Sequence, residues 1–320
     1  MKTAHNLATA LMFAGTLAQA QTSNFPNRPL RAVVSIAPGG GMDTISRALA
    51  QRLGEYLGQT VVVDNRPGAG GNIAMEIATN SAPDGHNLLI ISATAVIFPI
   101  LYKGRFDVLR DFAPVSQMSA QGYVAVVNPA VPARNIAELV QHLKANPGKL
   151  NYASSGIGSP IHLIGELFTA MSGTRMTHVP YKGIALAYSD MIAGNIEVSF
   201  PAIVSSQPLI RSGKLRALAV TLPKRSPVVP ELPTIEEAGV RGVVVVNWYG
   251  LLVPLNTPPA IIERLAQGVG ASMHHPEVVK RLLADGSEAA TSTPAQFRAH
   301  IAEEREKWTK VIRNAGIRAQ

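Results

Sequence analysis

The sequence predicts two α/β domains, each built on a doubly wound sheet of mainly parallel strands, joined by strands that cross between them. Short β-branched runs alternate with helical patterns along most of the chain, which is typical of parallel sheets with right-handed crossovers. A glycine- or serine-rich loop follows a strand in each half of the chain. No flexible Gly/Ser linker separates the halves, which favours domains connected directly by strands.

Length and composition set the limits of this prediction. The chain has 320 residues, and domains of roughly 150 residues are common, so we expect about two. Apolar residues make up 47% and charged residues 16%, a composition that can bury a large core. The absence of cysteine excludes disulfides, thiol catalysis and thiolate metal sites. The net charge of +8 is scattered without a dense basic run, so we expect no nucleic-acid partner.

The N-terminus has the pattern of a secretory signal peptide. Lys2 precedes the apolar run LATALMFAGTL at 7–17, and Ala18-Gln19-Ala20 forms a small-x-small cleavage site. A membrane anchor would need about 20 apolar residues, and this run is shorter. We therefore expect residues 1–20 to be removed on export, so that the mature chain begins at Gln21.

The first part of the chain alternates between strands and helices. Residues 30–36 form a β-branched run typical of a strand. From Ile45 to Leu57 an apolar residue recurs every four positions, which indicates one face of a helix. A second strand, a glycine-rich turn, a second helix and a third strand follow at 60–64, 65–72, 73–81 and 87–92.

The second part repeats this pattern. Strands are predicted at 122–128, 149–153, 196–200, 215–221 and 243–254. Helical periodicity follows the first two of them, at 136–143 and 163–171. The last helix begins at Thr293-Pro294-Ala295-Gln296, which predicts a capping box with proline at the first helical position. We expect this helix to pack on one of the two units.

The loop between the first strand and the first helix is a candidate anion site. It contains Pro38, Gly39, Gly40 and Gly41. Glycine lets a ligand approach the backbone closely, and the start of a helix attracts a carboxylate or phosphate. Ligands of open parallel sheets bind at the carboxyl ends of the strands. We predict binding here, the alternative being a tight turn without a ligand, and we expect Asp43 to cap the helix.

The matching loop of the second unit is Ser154-Ser155-Gly156-Ile157-Gly158-Ser159-Pro160. Its hydroxyls and backbone amides could donate further hydrogen bonds to the anion. We assign Ser154, Ser155 and Gly158 to the ligand and Ser159 to the cap of the next helix. Thr94, just past the strand at 87–92, is expected to point into the same cleft, unless it is an ordinary surface residue.

Motifs of other functions are absent from the sequence. The glycines of the second loop are followed by Ile161, at the position where a dinucleotide-binding motif has Gly or Ala. The phosphate-binding motif GxxxxGK[ST] does not occur. A GxSxG nucleophile elbow is also absent. The adjacent pair His274-His275 does not share a helix face, and no HExxH occurs, so we expect no metal and no cofactor. A triad assembled across the fold stays open.

Eight stretches, spread in order over most of the chain, carry a resemblance to a known family. They are FPNRPLRAVVSIAPGGGMDTISRALAQRLGEYLGQTVVVDNRPGAGGNIA (25–74), PDGHNLLI (83–90), DFAPVSQM (111–118), NPGKLNYASSGIGSPIHLIGELF (146–168), HVPYKG (178–183), SGKLRALAVT (212–221), LPTIEEAG (232–239) and WYGLLVP (248–254). Together they resemble the substrate-binding proteins of tripartite tricarboxylate transporters, the TctC or Bug family.

The resemblance implies a type II periplasmic binding protein fold, the Venus-flytrap kind, in which two domains close on a small organic acid. Domain 1 would comprise 25–123 and 222–320, and domain 2 would comprise 124–221, with hinge strands near 124–127 and 217–220. The carboxylate would be held by two groups of residues. They are Pro38, Gly39, Gly40 and Gly41, and Ser154, Ser155, Gly156 and Gly158. Membrane permease subunits would be the partners, in the periplasm. We expect a monomer, because no exposed apolar stripe is evident.

One departure from the family concerns the ligand. Many members look as if they carry an acidic residue just after the strand equivalent to 196–200, where this chain has Ser199-Phe200-Pro201-Ala202. Such an acid could pair with the ammonium group of an amino acid, so its absence favours a carboxylate without an amino group, aromatic or dicarboxylic. Two other hypotheses remain: a ligand sensor of the same fold that feeds a signalling system, and an exported hydrolase that uses Ser154 or Ser155.

Overall fold

Two β-sheets, each flanked by helices, form the frame of the protein, as predicted. The computed structural model describes residues 24–39, 41–68, 71–102, 105–284 and 286–317. The predicted signal peptide and Gly40 of the first loop lie outside the described residues. Among the helices described, none combines the length and apolarity that a membrane span requires.

The elements follow one another in chain order along the described ranges. The strands are β1 (Leu30–Val34), β2 (Val61–Asn65), β3 (Asn87–Ser92), β4 (Phe112–Gly122), β5 (Val124–Val127), β6 (Asn151–Ser154), β7 (Thr177–Pro180), β8 (Val198–Ser199), β9 (Arg216–Val220), β10 (Val246–Pro254) and β11 (Ser287–Ala289). The helices are α1 (Gly41–Leu57), α2 (Asn72–Thr79), α3 (Thr94–Tyr102), α4 (Val108–Asp111), α5 (Ile136–Ala145), α6 (Pro160–Ser172), α7 (Ile184–Ala193), α8 (Ile203–Arg211), α9 (Pro259–Met273), α10 (Pro276–Ala284) and α11 (Pro294–Asn314).

Strands from both ends of the chain build the larger sheet, in the order β11-β4-β10-β3-β1-β2. The N-terminal strands β1, β2 and β3 are parallel. β10 joins them antiparallel to β3 and also pairs with β4. We call this sheet and its helices lobe 1.

The smaller sheet has five strands in the order β7-β6-β8-β5-β9, and with its helices it forms lobe 2. β6 is parallel to both neighbours, whereas β5 is antiparallel to β8 and β9. The strands that carry the predicted loops are therefore parallel in both lobes. The antiparallel strands include those along which the chain passes between the lobes.

The strand and helix around the first loop are held by apolar packing. β1 and β3 are almost wholly buried, which is typical of parallel strands covered by helices on both faces. On α1, the residues with the predicted four-residue spacing, Ile45, Leu49 and Leu53, are buried in the same cluster as β1. The loop between them is thus fixed at both ends.

The passages between the lobes meet at Thr221. β4 continues through Tyr123 into β5, and the Thr221 N–H donates to the Tyr123 carbonyl oxygen at 2.9 Å. The Thr221 hydroxyl accepts the Tyr123 N–H at 3.2 Å and donates to the Val245 carbonyl oxygen at 2.6 Å. The Val245 N–H donates back to the Thr221 carbonyl oxygen at 2.8 Å. This junction lies next to both predicted hinge segments.

Residues 222–245 pack with lobe 2, although the sequence prediction gave them to domain 1. Ile235, Val243 and their neighbours share a buried cluster with Phe168 of α6. We therefore propose that the chain returns from lobe 2 to lobe 1 at Val246, where β10 begins. The division of the chain into domains stays a prediction, with this boundary moved.

The last helix, α11, spans both lobes. Its predicted capping box is confirmed, since the Thr293 hydroxyl accepts the Gln296 N–H and the Gln296 side chain accepts the Thr293 N–H. Phe297 near its start packs in a cluster of lobe 1, whereas Trp308 near its end packs in a cluster of lobe 2. The prediction that it packs on one unit is wrong, because a helix of 21 residues is about 30 Å long and reaches both lobes.

Candidate functional site

The loop after β1 presents backbone groups at the start of a helix, as predicted. Pro38 and Gly39 are exposed, and Gly41 is the first residue of α1. Gly39 has φ +86°, a left-handed conformation that glycine adopts without strain. Because the first N–H groups of a helix have no intrahelical acceptor, this end of α1 can receive an anion. Gly40 lies outside the described residues.

Asp43 holds this loop from within the first turn of α1. Its side chain is buried, and one carboxylate oxygen accepts the Gly39 N–H at 2.9 Å. The other oxygen accepts the Asn65 side-chain amide at 2.9 Å. Arg47 donates, at 3.1 Å, to the same carboxylate oxygen that accepts the Gly39 N–H. Burial raises the pKa of Asp43, but the hydrogen bonds it accepts, with that of Arg47 the largest, hold it below its ordinary value of 3.8. Asp43 is therefore a structural residue, and it already uses the Gly39 N–H.

At the end of β6, Ser154 is turned into lobe 2. It is fully buried, with its hydroxyl oxygen 2.7 Å from His178 Nε2 and accepting the Gly156 N–H at 3.1 Å. Gly156 and Gly158 have φ +121° and +76°, again left-handed. The Gly158 N–H donates to His162 Nδ1 at 3.0 Å. These groups shape the loop through internal hydrogen bonds.

The neighbouring serines have different environments. The Ser159 hydroxyl accepts the His162 N–H at 3.3 Å, which confirms the predicted cap of α6. Ser155 is half-buried, and its hydroxyl makes no hydrogen bond to any described residue. Thr94 is exposed at the start of α3, and its hydroxyl likewise bonds to none of the residues that the structure describes. Ser155 and Thr94 are thus the predicted side chains best able to contact a ligand.

The two lobes approach each other closely at this loop. A Cβ atom added to Gly158 would lie 2.5 Å from Leu101 Cδ1 on α3, the helix that Thr94 begins. A second approach joins the lobes at Gly286, where an added Cβ would lie 2.9 Å from Val204 Cβ. The structure therefore brings the loop after β6 together with α3. No hydrogen bond between described residues joins it to the loop after β1.

A pair of histidines behind the second loop was missed by the sequence analysis. The rings of His162 and His178 stack with centroids 3.9 Å apart and planes 7° apart. Tyr152 stacks on His178 at 4.9 Å. Burial lowers the pKa of His162 to about 4, and burial followed by the charge of His162 lowers that of His178 to about 4. The position of His162, four residues after Gly158 in the first turn of α6, was the signal available in the sequence.

The contact between Ser154 and His178 resembles half of a serine hydrolase triad. A catalytic serine must meet its substrate, and a third group must orient the histidine. Ser154 has no exposed surface, and no described carboxylate hydrogen-bonds to the His178 ring. The contact is therefore better suited to holding the loop. Among the described residues, no group of three or more His, Asp or Glu side chains could hold a metal ion.

The segment after β8 contributes no charge to the cleft. The Ser199 hydroxyl donates to the Ala153 carbonyl oxygen at 3.0 Å, inside the sheet. Phe200 is fully buried against Phe168, with ring centroids 5.4 Å apart. At the position where the family resemblance suggests an acidic residue, this chain therefore has the buried Phe200.

Comparison with known proteins agrees with this architecture. The model of the tripartite tricarboxylate transporter family receptor, TctC, matches residues 45–317. Protein BugT of Bordetella pertussis is 34% identical over 308 residues, which cover 95% of this chain and 94% of BugT.

Solved structures share the fold over nearly the whole chain. Rpa4515 of R. palustris, solved with adipate, is 33% identical with a TM-score of 0.75, covering 92% of this chain and 99% of its own. MatC of Rhodopseudomonas palustris, solved with bound malate, is 29% identical with a TM-score of 0.69. The match covers 90% of this chain and 100% of the MatC chain. The fold is that of periplasmic binding proteins. The chain therefore belongs to the TctC family of tripartite tricarboxylate transporter receptors, which are periplasmic solute-binding proteins.

Proposed function

We propose that this protein captures a small organic carboxylate between its lobes in the periplasm and delivers it to the permease subunits of a tripartite tricarboxylate-type transporter. One observation carries the proposal: each lobe offers a glycine-bearing loop at the carboxyl end of a parallel strand, directly before a helix. Two similar proteins were solved with carboxylates, adipate and malate. Helix starts attract anions, so this arrangement suits an acid.

The proposed contacts divide into binding groups and shaping groups. On lobe 1, Gly40 and Gly41 would bring the backbone and the start of α1 to the carboxylate. Pro38 and Gly39 would shape the loop, because the Gly39 N–H is taken by Asp43. On lobe 2, Ser155 would donate its hydroxyl. Thr94 would meet the ligand from the start of α3, which follows β3 of lobe 1. Ser154, Gly156 and Gly158 belong to the same site, but their contacts within lobe 2 favour a role in shaping the loop.

The ligand is proposed to be an acid without an amino group. The segment at Phe200 is packed inside lobe 2, and Asp43 in the first turn of α1 is already engaged with Arg47. An ammonium group would therefore lose its water without gaining a carboxylate partner, which is costly. We expect a diacid or an aromatic acid to bind more tightly than the amino acid of the same length.

Capture is proposed to work by closure of the lobes. A ligand that touches both loops is bound more tightly in the closed form, and that difference drives the hinge. The junction at Thr221 is the natural pivot, because both passages between the lobes meet there. On closure, the loop at Gly158 and the helix at Leu101 would move closer together around the bound acid.

Export follows from the same proposal. We infer that residues 1–20 direct the chain to the periplasm and are then removed. Mass spectrometry of the protein from a periplasmic extract should give a chain that begins at Gln21. A chain that retains Met1, or one found only in the cytoplasm, would contradict this.

A thermal-shift screen tests the proposed function. The protein is unfolded and refolded to strip any carried-over ligand, then heated with matched pairs such as succinate and aspartate, glutarate and glutamate, and with adipate, malate and sugars. A ligand that binds only the folded state raises its melting temperature. We expect shifts with acids and none with the matching amino acids or with sugars. Shifts confined to amino acids or sugars would refute the proposal.

Two further measurements make the screen decisive. Ser155→Ala should weaken the best acid by about 10- to 100-fold, the value of a hydrogen bond to a charged group, whereas the exposed and distant Ser212→Ala should not. A deletion strain should lose uptake of the same acid. Unchanged uptake, with loss of an acid-dependent change in gene expression, would indicate sensing in place of transport.

A further inference from the structure

His162 touches the loop after β6 at two points. Its ring nitrogen Nδ1 accepts the Gly158 N–H at 3.0 Å, and its backbone N–H donates to the Ser159 hydroxyl at 3.3 Å. Its side chain is 7% exposed. The ring is therefore a fixed, buried acceptor that holds the backbone of the loop just before α6 begins.

This hydrogen bond fixes the protonation state of the ring. A backbone N–H can only donate, so Nδ1 must carry its lone pair and the ring proton must sit on Nε2, 3.8 Å from Glu166 Oε1. A second proton would occupy Nδ1 and point at the Gly158 N–H. The bond to the loop would then be replaced by a contact between two donors.

His178 holds the other end of the loop and is coupled to His162. Its Nε2 lies 2.7 Å from the Ser154 hydroxyl, which accepts the Gly156 N–H. The two rings stack at 3.9 Å, so two positive charges there would repel strongly in a buried site. The arrangement therefore strongly disfavours a charge on both rings at once.

The surroundings supply little to offset a charge on the pair. From β6, Tyr152 stacks on His178, and its hydroxyl donates to Glu166 of α6. Lys307 and Lys310 of α11 line a cavity together with Glu166. The one described carboxylate facing the rings is thus shared with a tyrosine, and the two lysines pair with Glu304 and Glu306 of their own helix.

The direction of the pH effect follows from burial. Burial lowers the pKa of both histidines to about 4 from an ordinary value of 6.5. The rings are thus neutral in the folded protein at neutral pH, and acid favours any form in which they are released to solvent. The stabilisation is present above pH 6.5 and is lost as the pH falls from 6.5 to about 4.

We propose that His162, backed by His178, is a positioning residue that keeps the loop from Ser154 to Ser159 in its ligand-binding shape only while its ring is neutral. Ligand affinity is therefore acid-sensitive through this pair. The proposal rests on the proposed function of the loop. It does not make either histidine a ligand contact, because both rings lie behind the loop.

Conservative and disruptive variants separate positioning from mere packing. In His162→Asn the side-chain oxygen takes the place of Nδ1 as acceptor but cannot be protonated. His162→Ala removes the acceptor. Binding of adipate and malate is measured by calorimetry from pH 7.5 to 3.5 for both variants, the wild type and the exposed control His274→Asn. Since the probes also take up protons, the quantity compared is the ratio to wild type at each pH.

The expected pattern is specific. At pH 7.5 His162→Asn should bind within about threefold of wild type, whereas His162→Ala should bind about tenfold or more weakly. On acidification wild type should lose affinity relative to His162→Asn, by about fourfold at pH 3.5, where a ring with a pKa of about 4 is mostly protonated. His274→Asn should follow wild type. Equal behaviour of the Asn and Ala variants, or a constant ratio of wild type to His162→Asn, would overturn the proposal.

A ligand-free measurement keeps this test separate from the proposed function. The ¹⁵N–¹H resonance of Gly158 should move with pH in the wild type, with a midpoint near pH 4, and stay constant in His162→Asn. Failure of every carboxylate to bind would defeat the proposed function and leave this experiment standing. If the chemical shift of Gly158 does not change while the His162 ring titrates, His162 does not position the loop.

Discussion

The Asp43 carboxylate accepts the N–H of Gly39 at 2.9 Å, which ties the first turn of α1 to the loop that precedes it. We predict that Asp43→Asn lowers the free energy of unfolding at pH 7 by about 1–3 kcal/mol, the value of hydrogen bonds to a buried charged group. Urea unfolding measures the difference.

The pH dependence of that difference identifies its cause. The folded pKa of Asp43 lies below 3.8, so its contribution is present above pH 3.8 and is lost as the pH falls through the lower folded value. The gap between wild type and Asp43→Asn should therefore be constant from pH 7 to about 5 and shrink below about pH 4. A gap that is absent at pH 7, or unchanged at pH 3.5, would contradict the role of the carboxylate charge.

Two glycines with the same backbone conformation allow the contact between the lobes to be tested by itself. Gly158 has φ +76° and faces Leu101, whereas Gly148 has φ +75° and open space around it. Alanine at either position should cost about 1–2 kcal/mol of stability, because a side chain is strained there. Only Gly158→Ala should also weaken carboxylate binding, because its Cβ would collide with Leu101. Calorimetry on both variants checks this.

A double variant provides the control. Leu101→Ala removes the atoms that the new Cβ would meet, so Gly158→Ala combined with Leu101→Ala should recover most of the lost affinity relative to Leu101→Ala alone. Loss of binding in Gly148→Ala, or no recovery in the double variant, would show that the approach of the lobes is not what limits closure.

The hydroxyl of Thr221 is predicted to secure the hinge. Thr221→Val keeps the shape but leaves the buried Tyr123 N–H and Val245 carbonyl with fewer partners, at a cost of about 1–3 kcal/mol. Thr221→Ser retains the hydroxyl and should cost less than half as much. Urea unfolding of the two variants decides the point, and equal losses would indicate that the methyl group, and not the hydroxyl, matters.

The positions of the two loops could be predicted from the sequence, whereas their hydrogen bonds could not. Loops after parallel strands lie at one edge of a sheet, so a strand–glycine–helix pattern is enough to locate Gly41 and Ser155. The inward turn of Ser154 depends on His178, 24 residues away, which the pairing of β6 with β7 brings alongside. That pairing has no local signal around Ser154.

The path of the chain between the lobes shows a similar limit. Residues 222–245 contain no long strand or helix, so their periodicity does not indicate the lobe on which they pack, and burial of Val243 decides it. The apolar stripe of α11 predicts that the helix is partly buried. It does not reveal that Phe297 and Trp308 pack in different lobes.

The most direct test of the central claim is a calorimetric titration that compares an acid with its neutral amide. Adipate and malate, or the acid with the largest thermal shift, are titrated into the refolded protein beside the corresponding diamides, which have nearly the same shape. If the two loops hold a carboxylate by its charge, the acid binds and the amide binds at least about 100-fold more weakly, since several charge-assisted hydrogen bonds are lost. Equal binding of acid and amide would contradict the account.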